Sequence, residues 1–444
     1  MIDTGKRQLL QMQNYNSNYG HPYRQIWAYP LCHLLVLAMV MRITIFMRGR
    51  YYGDFNQVDS YKLVNIIVTF AMILVLIAML HDDVVRVIRN SGSAVKCIIF
   101  YYFFCAIVGS FSPSLDYAVF RTFEFLAFFL AIMLIIRKYN DFFHAEKIVL
   151  LWVSLILLAN FAGHIRLNGW DYLHTNIYSL TAVLLFTYSF GELTSAAGKR
   201  KKILIVLSSI SLVAVLMGTS TGTNIALVSG IIVLFLLSSS HRRYMLIIIP
   251  VLILVCGWNS LLGVILGNKT SEQIVNLANR ANVWKFSWGL FIQHPFFGYG
   301  LNVATREYSS MNLESHILSS HNSYIEALLA GGILGAGVLF FGYFVLLRDL
   351  LASVRKRSDG SLGCCAAAVV LLINGISTPT IGYTITSPGI AFAFILALFV
   401  YHVRSSAAGT PDLLDIASAQ WSGISQLQIY RNTAEPSAEH PVSF

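Results

Sequence analysis

The chain has 444 residues, 56% of them hydrophobic and only 12% charged, with a mean hydropathy of +0.65. A soluble domain carries about 25% charged residues, and apolar runs of about 15 to 25 residues call for about 30 Å of hydrocarbon, so a water-soluble enzyme is excluded. The net charge of +10 raises nucleic acid as a partner, but the basic residues sit in short loops between apolar runs, where membrane topology demands them. The expected fold class is therefore all-α: a polytopic membrane protein of about 12 transmembrane helices. A β-barrel would show weak alternating segments of about ten residues instead.

In chain order, residues 1–29 are polar with no apolar signal-peptide core, and they read as a weakly ordered cytoplasmic tail. Spans are expected at 30–46, 61–80, 96–111, 117–136, 148–162, 172–190, 203–217, 223–237 and 244–257, then at 323–347, 362–380 and 388–403. This divides the chain into nine spans over 30–257, a large loop over 258–322, three spans over 323–403 and a tail over 404–444. One set of connections is basic: Arg86, Arg89 and Lys96; Arg137, Lys138 and Lys147; Lys199 to Lys202; Arg242 and Arg243; Arg355 to Arg357. The opposite short loops hold little besides Arg48, Arg50 and Arg166. The positive-inside rule puts both termini in the cytoplasm and the long loop outside, in the periplasm of a Gram-negative cell or its equivalent. Asp82 and Asp83 read as a solvated cytoplasmic loop. Cys32, Cys97, Cys105, Cys256, Cys364 and Cys365 all fall in apolar runs without metal-site spacing, so neither a disulfide framework nor a zinc site is expected.

Charges inside spans are costly, about 2.5–3.5 kcal/mol each at a span centre. Arg121 and Glu124 in the fourth span are three apart, share a helix face and can pair; the alternative is an Arg121 that faces substrate. Arg166 lies in an outer loop with His164, His174 and Asn176. It reads either as part of a polar cavity wall or as a side chain snorkelling to headgroups.

The densest polar stretch runs from Arg280 to Glu326. Leu277, Ala281, Trp284, Trp288 and Phe291 recur at helical spacing, and a Trp-rich helix suits the membrane interface. Pro295 disfavours helix at His294, and Gly298-Tyr299-Gly300 allows a tight turn. Ser323 to Glu326 has the form of a capping box opening the tenth span, which puts His321 and Asn322 just ahead of a helix N-terminus. The positive helix end disfavours imidazolium and favours anions. A neutral His321 can take a proton from a hydroxyl beside a bound phosphate, or it can simply hydrogen-bond a loop carbonyl. Arg280 presents paired donors for a phosphate, or it snorkels. The outer acidic residues are scattered, so no tightly held divalent metal is expected. No Walker motif is present and ATP is not the driver. No cofactor is expected.

Arg280, Trp284, His294-Pro295, Gly298, Gly300 and His321-Asn322, followed by Gly331-Gly332 and Gly335, resemble the shared core of the O-antigen ligase and O-antigen or exopolysaccharide polymerase superfamily. A weaker match is Arg166, Gly169, His174 and Asn176, where Thr175 stands at a position the family often fills with Pro. The resemblance implies a GT-C-like, metal-independent glycosyltransferase of the periplasmic face. It would move glycan from undecaprenyl pyrophosphate to an acceptor sugar, with membrane lipids and a chain-length regulator as further partners and no nucleic acid. It makes His321 the base for the acceptor hydroxyl and Arg280 the clamp on the departing pyrophosphate. Arg166, Asn322, Arg121, His174, Asn176 and His294 become substrate-binding candidates. One departure stands out: the family commonly has a basic residue in the outer turn after the seventh span, where this chain reads Gly218 to Thr223 and then Asn224, with none. Either hydroxyls and backbone amides bind the phosphate there, or Arg166 or Arg121 fills the gap, or the carrier sits differently. The departure favours a polymerase over a ligase that delivers polymer to lipid A–core. A lipid-linked sugar flippase, from another class, would show internal repeats and paired broken helices, which the sequence does not show.

Overall fold

The computed structural model describes residues 22–45, 60–139, 141–168, 176–218, 220–238, 280–304 and 319–403. Among them all regular structure is helical: α1 (Pro22–Ile43), α2 (Ser60–Ala78), α3 (His81–Asn90), α4 (Ser93–Gly109), α5 (Leu115–Arg137), α6 (Phe142–Asn168) and α7 (Asn176–Glu192). These are followed by α8 (Gly198–Leu216), α9 (Thr221–Leu237), α10 (Arg280–Gln293), α11 (Ser323–Arg355), α12 (Ser361–Asn374) and α13 (Ser387–Leu398), which ends in a π-helical turn at Phe399–Val403. Leu115–Arg137, Phe142–Arg166 and Ser323–Arg355 are each long and apolar enough to cross a bilayer, and α2 with α3 passes as one pair bent by 85°. The architecture is that of a polytopic helical membrane protein. The expected span at 244–257, most of the 258–322 loop and most of both tails lie outside the described residues.

Burial is inverted relative to a soluble bundle. Every residue of α13 from Ile390 to Leu398 is buried, as expected for a helix apolar on all faces, and it packs against α5, α6, α7 and α12. Leu63, Ile67, Phe70, Leu74 and Ile77 of α2 point outward at helical spacing. Such an apolar stripe is a liability in water and an asset against acyl chains.

Several expected boundaries move. α1 begins at Pro22, inside the stretch expected as tail. Asp82 and Asp83 are not in a loop: they occupy the first turn of α3, where acidic side chains complement the helix dipole. The span expected at 362–380 stops at Asn374, because Pro379 disfavours helix at Thr378 and Gly382 turns the chain at a φ of 64°. Irregular backbone between buried helices needs protein partners, and it has them. Tyr101 donates to the Gly382 carbonyl at 3.0 Å, Tyr102 to the Tyr383 carbonyl at 2.8 Å, and Ser323 Oγ to the Thr378 carbonyl at 2.8 Å.

The most consequential feature is a break in α11. Gly332 adopts φ 60° and ψ −166°, a region essentially closed to other residues. The break removes the helical bonds that Ile333 and Leu334 would make to the carbonyls of Leu329 and Ala330. The segment after α10 replaces them. Tyr299 N–H donates to Leu329 O at 2.8 Å and Gly300 N–H to Ala330 O at 2.9 Å, while Ile333 N–H donates to Pro295 O at 2.8 Å and Leu334 N–H to Phe296 O at 3.3 Å. Such an approach leaves no room for side chains. A Cβ on Gly332 would overlap the Phe296 carbonyl, and one on Gly300 (φ 90°) would lie 2.5 Å from Gly109 Cα.

Gly332→Ala is therefore expected to destabilise the protein by at least about 2 kcal/mol. Gly337→Ala, where a Cβ meets nothing within 4 Å, should gain about 0.5–1 kcal/mol from helix propensity. Thermal unfolding of the two purified variants checks the contrast; equal melting temperatures would contradict the account of the break.

Candidate functional site

α10 lies across the start of α5 and the upper half of α11. Its buried face is Val283, Ser287, Leu290 and Phe291, one step round from the Trp stripe, and Trp288 points outward. Leu290 and Phe291 join Ala118, Tyr299, Val303, Ala304 and Leu329 in a small apolar core. The Tyr299 hydroxyl donates to the Leu290 carbonyl at 2.9 Å, so the Gly-Tyr-Gly turn is fastened to both helices. As expected, the helix stops at Gln293, ahead of His294-Pro295.

The His321 turn is bound to α10 by Trp284, whose indole N–H donates to the Ser320 carbonyl at 2.8 Å. On the other side the Ser320 N–H donates to Glu326 Oε1 at 2.5 Å. His321 is half-buried and stands at a φ of 52°, uncommon for a residue with a Cβ, and its N–H donates to Ser319 Oγ at 3.3 Å. Arg280 sits four residues before Trp284 and shares its face of α10. It is half-buried, burial pushes its pKa below the ordinary guanidinium value, and no ion pair joins it to another described residue. Among the described residues no three His, Cys, Asp or Glu side chains gather as a metal site requires.

The capping box is displaced by one residue from its expected register. Asn322, not Ser323, is the N-cap: its Oδ1 accepts from Tyr324 N–H at 2.9 Å and Ile325 N–H at 3.1 Å. Ser323 is spent instead on the irregular turn after α12, where its Oγ accepts from Thr380 N–H at 2.8 Å and Ile381 N–H at 3.1 Å. Glu326 still reaches back, but to Ser320. Sequence reading missed Trp284, Ser320 and Glu326 as a connected set. The signal within reach was the pair Ser319-Ser320 beside the turn; the partner of the indole N–H was not legible.

The other candidates are dispersed. Arg121 pairs with Glu124 at 2.8 Å, Asn65 Nδ2 donates to the second carboxylate oxygen at 2.6 Å, and Tyr117 lies under the guanidinium at 5.2 Å. Arg166 is exposed in the last turn of α6 rather than in a loop, and His164 is buried with its ring 5.9 Å from Tyr178. His174 and the side chain of Asn176 lie outside the described residues. His294 is exposed, edge-on to Tyr299 at 4.6 Å, and lines a cavity of about 610 Å³ with Phe104, Ile107, Phe111 and Phe297. In the turn after α8, Ser220 caps α9 by accepting from Thr223 N–H at 3.3 Å, and Asn374 Nδ2 donates to Thr223 Oγ1 at 3.3 Å. The hydroxyls of Ser220 and Thr223 are thus engaged with each other and with Asn374, and the turn carries no basic residue.

A family model described as O-antigen ligase matches residues 203–340. The match supports the O-antigen ligase and polymerase superfamily. It runs from α8 through the Gly332 break and holds Arg280, Trp284, His294, His321 and Asn322, while Arg121, Arg166, His174 and Asn176 fall outside it. Members of this family are membrane glycosyl-transferring enzymes. No curated protein matches the chain.

Asn322→Ala should lose about 1 kcal/mol of stability, whereas Asn322→Asp, which keeps an acceptor at the N-cap, should lose almost none. If the Asp variant is stable and fully active, the residue serves as a cap and its amide NH₂ is not needed for substrate.

Proposed function

We propose that this chain polymerises undecaprenyl-pyrophosphate-linked oligosaccharide repeat units into exopolysaccharide or O-antigen at the periplasmic face of the inner membrane. The observation that carries the reading is that Trp284, one helical turn after Arg280, holds the Ser320 carbonyl beside His321 at 2.8 Å, while Arg280 is a half-buried cation without a described carboxylate partner. In this mechanism His321 takes the proton of the acceptor hydroxyl as its oxygen attacks the anomeric carbon. The bond from that carbon to the pyrophosphate oxygen breaks, and the pyrophosphate leaves with the electron pair. Arg280, already desolvated, meets the leaving anion where a guanidinium is worth most. No metal is assigned to the reaction.

The wider assignment has twelve spans with both termini cytoplasmic, 258–322 periplasmic, and membrane lipids and a chain-length regulator as partners. Arg121, Arg166, His174, Asn176, His294 and Asn322 would contact donor or acceptor. A second reading, an O-antigen ligase that transfers polymer to lipid A–core, is favoured by the description of the family matched at 203–340. The base-free turn around Ser220 favours the polymerase.

His321→Ala should abolish polymer while the protein remains inserted and folded; normal polymer from that variant would remove the base. Arg280→Lys should lose well over tenfold in rate, because a point charge does not replace paired donors. The first measurement is glycan analysis of a strain deleted for the gene. Single repeats on the carrier with normal lipid A–core identify a polymerase, stranded long polymer identifies a ligase, and repeats trapped facing the cytoplasm identify a flippase.

A further inference from the structure

Five backbone groups around His321 are committed to partners. The Ser320 N–H goes to Glu326, the His321 N–H to Ser319 Oγ, and the Asn322 N–H to Ser320 Oγ at 3.3 Å. The Ser320 carbonyl takes the Trp284 indole N–H, and the Asn322 carbonyl takes the Ser320 hydroxyl at 2.9 Å. A left-handed residue with a Cβ persists only where its surroundings over-determine it, and this turn is over-determined from two helices at once. Glu326 grips from one turn inside α11 and is itself buried, so its carboxylate has little freedom to swing away. Trp284 grips from α10, one turn from Arg280 on the same face. The bond that fixes the turn therefore also ties its backbone to the helix that carries Arg280.

We propose that Trp284, Ser320 and Glu326 are positioning residues that hold His321 in its left-handed conformation and in register with Arg280. The inference rests on the reading of His321 as the base and specifies how that base is aimed. Trp284 acts through its N–H and Glu326 through one acceptor oxygen; neither touches the reacting atoms. An error of about 1 Å in such a register costs about 100-fold in rate, and the loss falls on the chemical step rather than on donor binding.

The test uses the purified full-length protein and, as donor, the carrier-linked glycan extracted from the deletion strain, with membranes of that strain supplying the acceptor. Trp284→Phe keeps the ring and removes the N–H. It should lower kcat at least about tenfold while KM for the donor stays within about twofold and the melting temperature falls by only a few degrees, the cost of leaving the buried Ser320 carbonyl without its donor. Glu326→Gln keeps an oxygen acceptor and should stay within about threefold of wild type, whereas Glu326→Leu should fall at least about tenfold. Unchanged kcat in both Trp284→Phe and Glu326→Leu overturns the proposal. So does a loss in KM alone, or a loss that tracks the melting temperature. If Trp284→Phe does not fold, the Glu326 pair decides: a stable Gln variant as inactive as Leu means that charge, not aim, is at work, and the proposal falls. His321→Ala is run alongside. Full activity there sinks the base and the positioning role together, whereas an inactive His321→Ala with fully active Trp284→Phe and Glu326→Leu sinks the positioning role alone.

Discussion

Four backbone hydrogen bonds across the Gly332 break hold the site together. They join Tyr299 and Gly300 to the carbonyls of Leu329 and Ala330, and Ile333 and Leu334 to those of Pro295 and Phe296. Without these bonds the break would leave eight backbone donors and acceptors to find other partners. The segment after α10 thus has no low-energy alternative position, and neither has the upper half of α11. Two pieces of chain distant in sequence behave as one body because each completes the other's hydrogen bonding.

That body carries both functional ends. α10 runs straight into His294-Pro295, so fixing the repair segment fixes the helix that begins at Arg280. The upper half of α11 begins at its Asn322 cap, so the same bonds fix the turn that carries His321. A second seam supports this end from beneath. Ser323 takes the Thr380 and Ile381 N–H groups and gives its own N–H to the Gly375 carbonyl at 2.7 Å. The irregular turn after α12 and the start of α11 are therefore coupled through one side chain. Rigidity at the site comes from exchanged backbone partners, with apolar packing of Leu290, Phe291 and Tyr299 filling the space between them.

Much of this was legible in the sequence, and the limits follow from physics. Apolar run length identified a membrane helical protein, because a bilayer sets the length of its spans. Spacing three apart identified the Arg121–Glu124 pair, since helix geometry makes such residues neighbours whatever lies around them. Pro295 ended α10 for local steric reasons. Local rules failed where long-range partners competed. Ser323 should have capped α11 by its pattern, but the chain near Thr378 claimed its hydroxyl and the cap moved to Asn322. The glycines at 298, 300 and 332 announced tight backbone without saying that each turn was fitted to the other. The 362–380 segment read as one apolar run, yet Tyr101, Tyr102 and Ser323 stabilise it as helix followed by irregular turn. For the site itself, the sequence pointed to Arg280 and His321 as separate candidates, and their connection through Trp284 and Ser320 required coordinates.

Charge distribution gives the strongest argument that Arg280 is not merely structural. Two other arginines drawn into the protein are neutralised locally. Arg121 faces Glu124, and Arg200 makes a two-pronged pair with Glu146 at 2.6 and 2.8 Å while also reaching Glu192 at 3.2 Å. In both cases burial was matched by carboxylates on neighbouring turns or helices, as the cost of removing a charge from water requires. Arg280 is half-buried, and no described carboxylate answers it. Among the described residues, Arg121 and Arg200 are answered by carboxylates and Arg280 is not, and Arg280 stands one helical turn from the anchor of the His321 turn. An anionic group arriving there would regain the desolvation cost that folding has already met. A departing pyrophosphate, whose charge grows as its bond breaks, would gain more from that cation in the transition state than in the ground state, and this difference is what accelerates a reaction.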